Sequence, residues 1–409
     1  MMSTFMTSLM ESYTRIWELS DQTYVTCSMN SDGIAIFKSS QFSIWPLLIS
    51  INELDYPLRR KNTLLVGLWF GTKKPNFGTF LGPLLEQSQE LAESGIEWRN
   101  DNKVYRSKVF FSMFSADSVA RCQIQCINPF NGEYSCPWCL VRGETFNLSE
   151  RSHKWIFDPK EKATRRSHAE FKNHLRSLQE NLENGISSPT VFAVKAASKL
   201  LLIPKFDIVQ GFTFDYMHTC MLGVVRTITL AWLDSKRHNE AFYIGNRSQE
   251  INARIKFCKV PDDCRRTLRE LKDVKYWKAS EWKTWMLISI PILSGILPNC
   301  YRNHFGKLVT AVCLLSKDQI KHEDILTARG LLLKFNEVVP NLYSLSFCTF
   351  NVHLLSHAAD CVENLGPLWA YSLFQFENFN GVLCKSFSGT QHVGLQVTRK
   401  IITEQKVVV

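Results

Sequence analysis

An α/β core followed by a long, mainly helical segment is what this 409-residue sequence predicts, on three observations. The first third carries short runs rich in β-branched and aromatic residues, separated by turn-forming residues. One of these runs, residues 108–116, is apolar on nearly both faces, as in a strand inside a sheet covered on both sides. Beyond about residue 128 the apolar residues fall at helical spacing instead.

In chain order, "TYVTCSM" (23–29), "GIAIF" (33–37), "WPLLISI" (45–51) and "TLLVGLWF" (63–70) read as strands. Residues 77–95 show helical spacing at Leu81, Leu84, Leu85 and Leu91, and "KVFFSMFSA" (108–116) returns to a strand. A loop, "NPFNGEYSCPWC" (128–139), and a polar, charged stretch (150–188) come next. Helices are expected around 215–234, 247–257, 264–275, 280–296, 302–316, 322–339 and 351–364, with one more near 368–386. The most apolar run, "WMLISIPILSGILP" (285–298), is too short to span a bilayer and contains two prolines, so it reads as a core helix.

Composition bounds the function. A 45% hydrophobic chain of this length has material for a large core and two or three domains, which excludes a disordered protein. The net charge of +10, from 48 Lys+Arg against 38 Asp+Glu, suits a polyanionic partner and equally suits an ordinary basic protein. Thirteen cysteines accompany a start that lacks the basic and apolar regions of a secretory signal, so reduced, intracellular thiols are expected.

Three carboxylates stand out. Asp32, in "MNSDGIAIF", lies between two strand-like runs, where Asp-Gly is also a preferred hairpin turn. Asp117 follows the apolar strand where a helical pattern begins, a place that also suits a helix N-cap. Glu377 stands among phenylalanines in "FQFENFNG", sharing a helical face with Leu373, Phe374, Asn380 and Gly381, a stripe that reads as buried. A buried carboxylate needs a partner, a hydrogen bond or a metal, and Gly381 leaves room for something to approach. Acids from an early strand, the end of a later strand and a distant helix suit two Mg²⁺ ions, which prefer oxygen ligands and serve phosphodiester chemistry.

Two further patterns carry chemistry. Cys136-Pro-Trp-Cys139 has the spacing of half a zinc site, and His353 and His357 at i and i+4 supply a second half; a redox C-x-x-C and helix-packing histidines are the competing readings. The stretch 265–283 interleaves Arg265, Arg266, Arg269, Lys272, Lys275, Lys278 and Lys283 with Tyr276, Trp277 and Trp282, which suits a DNA track. It equally suits a solvated helix whose tryptophans face the core.

These blocks, together with "LLVGLWFGTKKPNFGTFLGPL", "DSVARC", "FNGEYSCPWCLVRGE", "FDYMHTCMLGVVR", "YWKASEWK", "NVHLLSH" and "GPLWAYSLFQFENFNGVL", resemble the transposase of the CACTA (EnSpm) DNA transposons over about residues 22–397. The likeness is strongest to animal transposase-domain proteins. It implies an RNase H-like DDE transposase core interrupted by a large, mainly α-helical insertion. The core would occupy 22–127 and 351–397 and the insertion 128–350, flanked by an N-terminal segment (1–21) and a tail (398–409).

The resemblance makes Asp32, Asp117 and Glu377 the catalytic ligands of Mg²⁺ or Mn²⁺. It implies DNA strand cleavage and transfer, a DNA partner, self-association, a nuclear place, and neither a membrane nor a small-molecule substrate. The family carries both the C-x-x-C and the H-x-x-x-H, which implies a structural Zn²⁺ clamp joining insertion to core. Asp215 and His218, in another shared block, read as capping or core hydrogen bonding. The early start of the first strand leaves little room for an end-recognition domain, so a truncated or host-retained copy is expected. A catalytically silent nuclear DNA-binding or protein-interaction module remains the alternative.

Overall fold

The computed structural model describes residues 24–37, 42–100, 103–260, 266–389 and 391–407. The chain divides into two compact units, Met1–Phe130 with Arg166–Thr213 and Tyr371–Val409, and Asn131–Arg165 with Phe214–Ala370. It is mixed α/β, as expected, but the partition differs from the one read in the sequence. Residues 166–213 belong with the first unit, and residues 351–370 with the second.

The first unit is built on a mixed sheet. β1 (Tyr24–Ser31) and β2 (Ile34–Ala35) both pair antiparallel with β3 (Ser43–Ile51), and the register does not change between them: Ser31 faces Leu47, and Ile34 faces Ile44. They therefore form one long strand interrupted at Asp32-Gly33, level with Pro46, which has no N–H to give the ladder. The Asp-Gly pair is not the hairpin turn its local sequence matches, because the chain reverses later, between β2 and β3. β3 pairs along its other edge with β4 (Leu64–Gly71), also antiparallel.

β5 (Ile96–Asn100) and β6 (Lys103–Ser115) form a hairpin, and β6 lies parallel to β1. One bulge at Cys27/Ser28 shifts that register, after which Met29 faces Phe114 and Asn30 faces Ser115. Residues 211–213 join the far end of β6: the Phe114 N–H donates to the Gly211 carbonyl at 2.7 Å, and the Thr213 N–H to the Phe114 carbonyl at 3.1 Å.

β6 buries Val109 and Phe111 on one face, whereas Arg106 and Lys108 on the other are exposed and Phe110 is half-buried, so the burial on both faces that its sequence implies does not hold along its first two thirds. The helix Gly82–Glu93 turns Leu84, Leu85, Ser88, Leu91 and Ala92 inward at helical spacing. The helices Leu373–Cys384 and Val393–Val407 bring Leu383, Val393, Val397 and Ile401 together with Ile44 of β3. The second of these runs through most of the segment read as a tail.

The second unit is mainly helical. Tyr216–Val225, a π-helix continued by the α-helix Arg226–Leu233, matches the first expected helix; Ser248–Phe257, Ala279–Ile292, Asn299–Leu314 and His322–Leu342 match others. Ala279–Ile292 is the core helix read from its apolar run, with Trp282, Trp285 and Met286 buried and Pro291 in its last turn. In place of a helix over 264–275, the described residues contain a short 3₁₀ turn, Leu271–Tyr276. Residues 144–156 form a hairpin, β7 (Glu144–Ser149) with β8 (Ser152–Ile156), that the sequence reading did not anticipate. Among the described residues no helix is long and apolar enough to cross a membrane.

Candidate functional site

Asp32 interrupts the long first strand and is half-buried. Its Oδ1 accepts the Gly33 N–H at 2.7 Å. A Cβ on Gly33 would come within 2.5 Å of the Trp45 indole, so the ring of Trp45 lies against the backbone beside Asp32 and admits only glycine there. Asp117 follows the end of β6 by two residues and caps the helix Ser118–Gln125, its Oδ1 accepting the Ala120 N–H at 2.6 Å. The N-cap role read from the sequence is real.

The parallel ladder ends with Asn30 facing Ser115, two residues before Asp32 on one strand and two before Asp117 on the other. Side-chain bonds reinforce the junction: Asn30 Nδ2 donates to the Ser115 carbonyl at 2.8 Å, and Thr213 Oγ1 donates to Ser115 Oγ at 3.0 Å. Ser115 Oγ in turn donates to the Tyr371 carbonyl at 3.3 Å, which ties the approach to the helix Leu373–Cys384 to the same strand end. Ser115 thus links three segments distant in sequence, and no motif marks it.

Glu377 lies in the second turn of that helix, on a different face from the one expected. Leu373 and Asn380 are buried and Phe374 is half-buried, whereas Glu377 and Gly381 are exposed. The inward face is set by Phe376, Phe379 and Leu383, the last two packing with Ile44, and this turns Glu377 outward. The burial penalty therefore does not apply to it. The room beside Gly381 is real, since a Cβ there meets nothing within 4 Å.

A second cluster is tighter. Cys136, Cys139, His353 and His357 place one ligand atom each within 4.8 Å of one another, and all but His353 are buried. Cys139 is held by bridge pairing with Arg165 and His353 by the short helix Phe350–Leu354, which Thr349 caps. His357 follows one turn later. Cys136 Sγ lies 3.3 Å from His357 Nε2, Cys139 Sγ 3.4 Å from His353 Nε2, and the two Nε2 atoms 3.3 Å apart. Tetrahedral zinc, with Zn–S of about 2.3 Å and Zn–N of about 2.0–2.1 Å, separates sulfur from nitrogen by about 3.6 Å and nitrogen from nitrogen by about 3.3 Å. The four residues fit such an ion.

The electrostatics suit ligation. Burial opposes ionisation of Cys136, but the hydrogen bond with Cys139 and the facing His357 and His353 outweigh it and hold that thiol well below its ordinary value. The same shared hydrogen bond, then burial, pushes Cys139 up. Burial, above all, holds His357 low and keeps its imidazole neutral. Arg165 touches His357 and pairs with Asp360 at 2.7 Å, so its charge further opposes protonation there. All four ligands belong to the second unit. The expected clamp between insertion and core is therefore a staple within one unit, because residues 351–370 pack with the helical unit.

Asp215 is buried and caps the π-helix Tyr216–Val225, accepting the His218 N–H at 2.9 Å and meeting His218 Nδ1 at 2.8 Å. This is the capping role expected of it. In the basic stretch Trp277 and Trp282 are core residues, Arg269 is bonded to buried Glu281 at 2.8 and 2.7 Å, and Lys272 pairs with Glu270. Arg266, Lys275, Lys278 and Lys283 are exposed, as is Tyr276, while Arg265 lies outside the described residues. No protein-family model matches the chain, and no curated protein matches its sequence.

Proposed function

We propose that this chain is a DNA strand transferase of the CACTA transposase type, with Asp32, Asp117 and Glu377 as the ligands of a divalent metal pair, Mg²⁺ or Mn²⁺. The observation that carries the reading is the register between β1 and β6, whose last pair, Asn30 with Ser115, stands two residues before Asp32 on one strand and two before Asp117 on the other. The strand order supports an RNase H-like core: two antiparallel strands on one side of the first strand and a parallel one on the other. So does the late helix bearing Glu377, linked through Ser115 to the same strand end.

The donors are hard carboxylate oxygens, partly open to solvent, which is the chemistry Mg²⁺ prefers. When bound, the metal pair supplies Lewis acidity and an activated oxygen. Asp32, from the interruption of the first strand, and Asp117, from the helix cap after β6, would hold the metal pair, with Glu377 bringing the third carboxylate from the helix. In the proposed reaction water attacks a phosphodiester and the 3′ oxygen leaves. The freed 3′ hydroxyl then attacks target DNA and displaces its 3′ oxygen. The cluster of Cys136, Cys139, His353 and His357 is read as a structural zinc site in the helical unit, and the nucleus as the place of action.

One observation favours the rival reading, a catalytically silent DNA-binding or protein-interaction module: Asp117 already has a structural task as a helix cap. Plasmid nicking with Mg²⁺ decides between them. Activity that disappears in Glu377→Gln, with unchanged thermal stability, supports the enzyme; no Mg²⁺-dependent nicking by folded, zinc-loaded protein supports the module.

A further inference from the structure

At the opposite end of the β1–β6 pair from the carboxylates lies a groove of about 890 Å³, lined by Tyr24, Arg106, Lys108, Phe110, Lys205 and the end of the helix Gly82–Glu93. Lys108 precedes Ser115 by seven residues, about 23 Å at a strand rise of about 3.3 Å per residue. The two sites are therefore separate. We infer that this groove binds a single-stranded nucleic-acid segment, its cations taking phosphates and its exposed tyrosine taking a base.

Alternation along β6 puts Arg106, Lys108 and Phe110 on one face of the sheet. Tyr24 faces Lys108 across the parallel pair and so projects to that side, where it is 49% exposed. Lys205 has a left-handed backbone (φ 61°), and its Nζ lies 5.0 Å from the centroid of the Phe110 ring. A non-glycine residue in that region costs free energy, and here it delivers a cation to the groove. Arg106 is fixed by donating its Nε–H to the Ser94 carbonyl at 2.8 Å. Against these three cations the lining has one acid, Glu93.

Cations alone would equally suit an acidic peptide. The exposed tyrosine beside Lys108 adds a stacking surface that single strands use and acidic peptides do not, while the phenylalanine under Lys205 holds that cation in the groove. The inference is independent of the catalytic reading, since none of the three carboxylates lines the groove.

The test uses the full chain in buffer free of Mg²⁺ and of chelators, so that neither the carboxylates nor the Cys/His cluster is perturbed. Anisotropy with labelled oligo(dT) is compared with an abasic oligomer of equal length and a polyglutamate peptide, and 5-iodouracil photocrosslinks are mapped. Lys108→Ala with Lys205→Ala should lower the slope of log affinity against log salt by about 1.4, at about 0.7 per cation for single strands. Tyr24→Ala should weaken oligo(dT) about fivefold and leave the abasic oligomer unchanged, and Tyr24 should carry a crosslink. An unchanged salt slope, crosslinks confined to other regions, equal loss on both oligomers, or polyglutamate displacing oligo(dT) from the groove would each overturn the inference.

Discussion

Removing zinc should destabilise the helical unit far more than the sheet unit, and the size of the effect follows from the site. Cys136 and His357 are 0% and 1% exposed and face one another at 3.3 Å, so an ion between them is shielded from water. Zinc held at a thousand times its Kd contributes about 4 kcal/mol. For a unit of roughly two hundred residues each kcal/mol shifts Tm by about 2–4 °C.

A fall of about 8–16 °C is therefore expected when chelator is added. Calorimetry should resolve it, with elemental analysis counting zinc per chain. Cys136→Ser should abolish zinc binding and the chelator response together. Cys220→Ala, at a cysteine buried elsewhere in the same unit, should keep both. Protein that contains no zinc, or whose unfolding is indifferent to chelator, would refute the argument from ligand geometry.

Further outcomes follow from single residues. His304 is buried, stacks on Phe335 and donates Nε2–H to its carbonyl at 2.9 Å; burial pulls its pKa down to about 4. The unfolded chain, with an ordinary histidine near 6.5, then binds the extra proton first, so stability is full above about pH 6.5 and falls by about 3 kcal/mol as pH approaches 4. Urea titrations should show this slope, and it should flatten in His304→Gln. Gly33→Ala forces a methyl into Trp45 and should cost about 1–3 kcal/mol while displacing Asp32, so denaturation and nicking should both suffer. Arg269→Ala removes two of the hydrogen bonds to Glu281, which is 2% exposed and keeps the Lys278 N–H, and should lower stability, whereas Lys275→Ala should leave it unchanged.

What was legible in the sequence was what local periodicity determines. The apolar strands and the long helices of the second unit are continuous patterns, and tertiary packing had no reason to override them. The hairpin turn that competed as a reading of Asp32-Gly33 has a strong local signal. It fails because β3 pairs in one register on both sides of that dipeptide, and because Trp45 requires a glycine there for packing. The helix His168–Glu183 escaped notice because it buries only Phe171 and Leu178, too narrow a stripe to see. Its capping box, Ser167 with Glu170, was the readable sign.

Glu377 shows why the candidate site was legible in its members and not in its geometry. Its helix carries large apolar residues at Phe374, Phe376, Phe379, Val382 and Leu383, which are distributed almost all round, so spacing alone does not say which side is inside. Contact with Ile44 chooses Phe379 and Leu383, and thereby turns Glu377 outward. A buried carboxylate would have required a metal to offset its desolvation, whereas an exposed one is stable without any. A metal among these carboxylates is then favoured by strand register, which pairs Asn30 with Ser115 two residues before each aspartate, and by the tie from Ser115 to Tyr371. That has a measurable consequence: Ser115→Ala leaves both aspartates in place but loosens the approach to the Glu377 helix. It should therefore reduce Mg²⁺-dependent nicking while costing about 1–3 kcal/mol of stability, since Ser115 Oγ both donates to the Tyr371 carbonyl and accepts from Thr213 Oγ1. Nicking that persists undiminished in Ser115→Ala would mean that the helix is positioned by its apolar face alone.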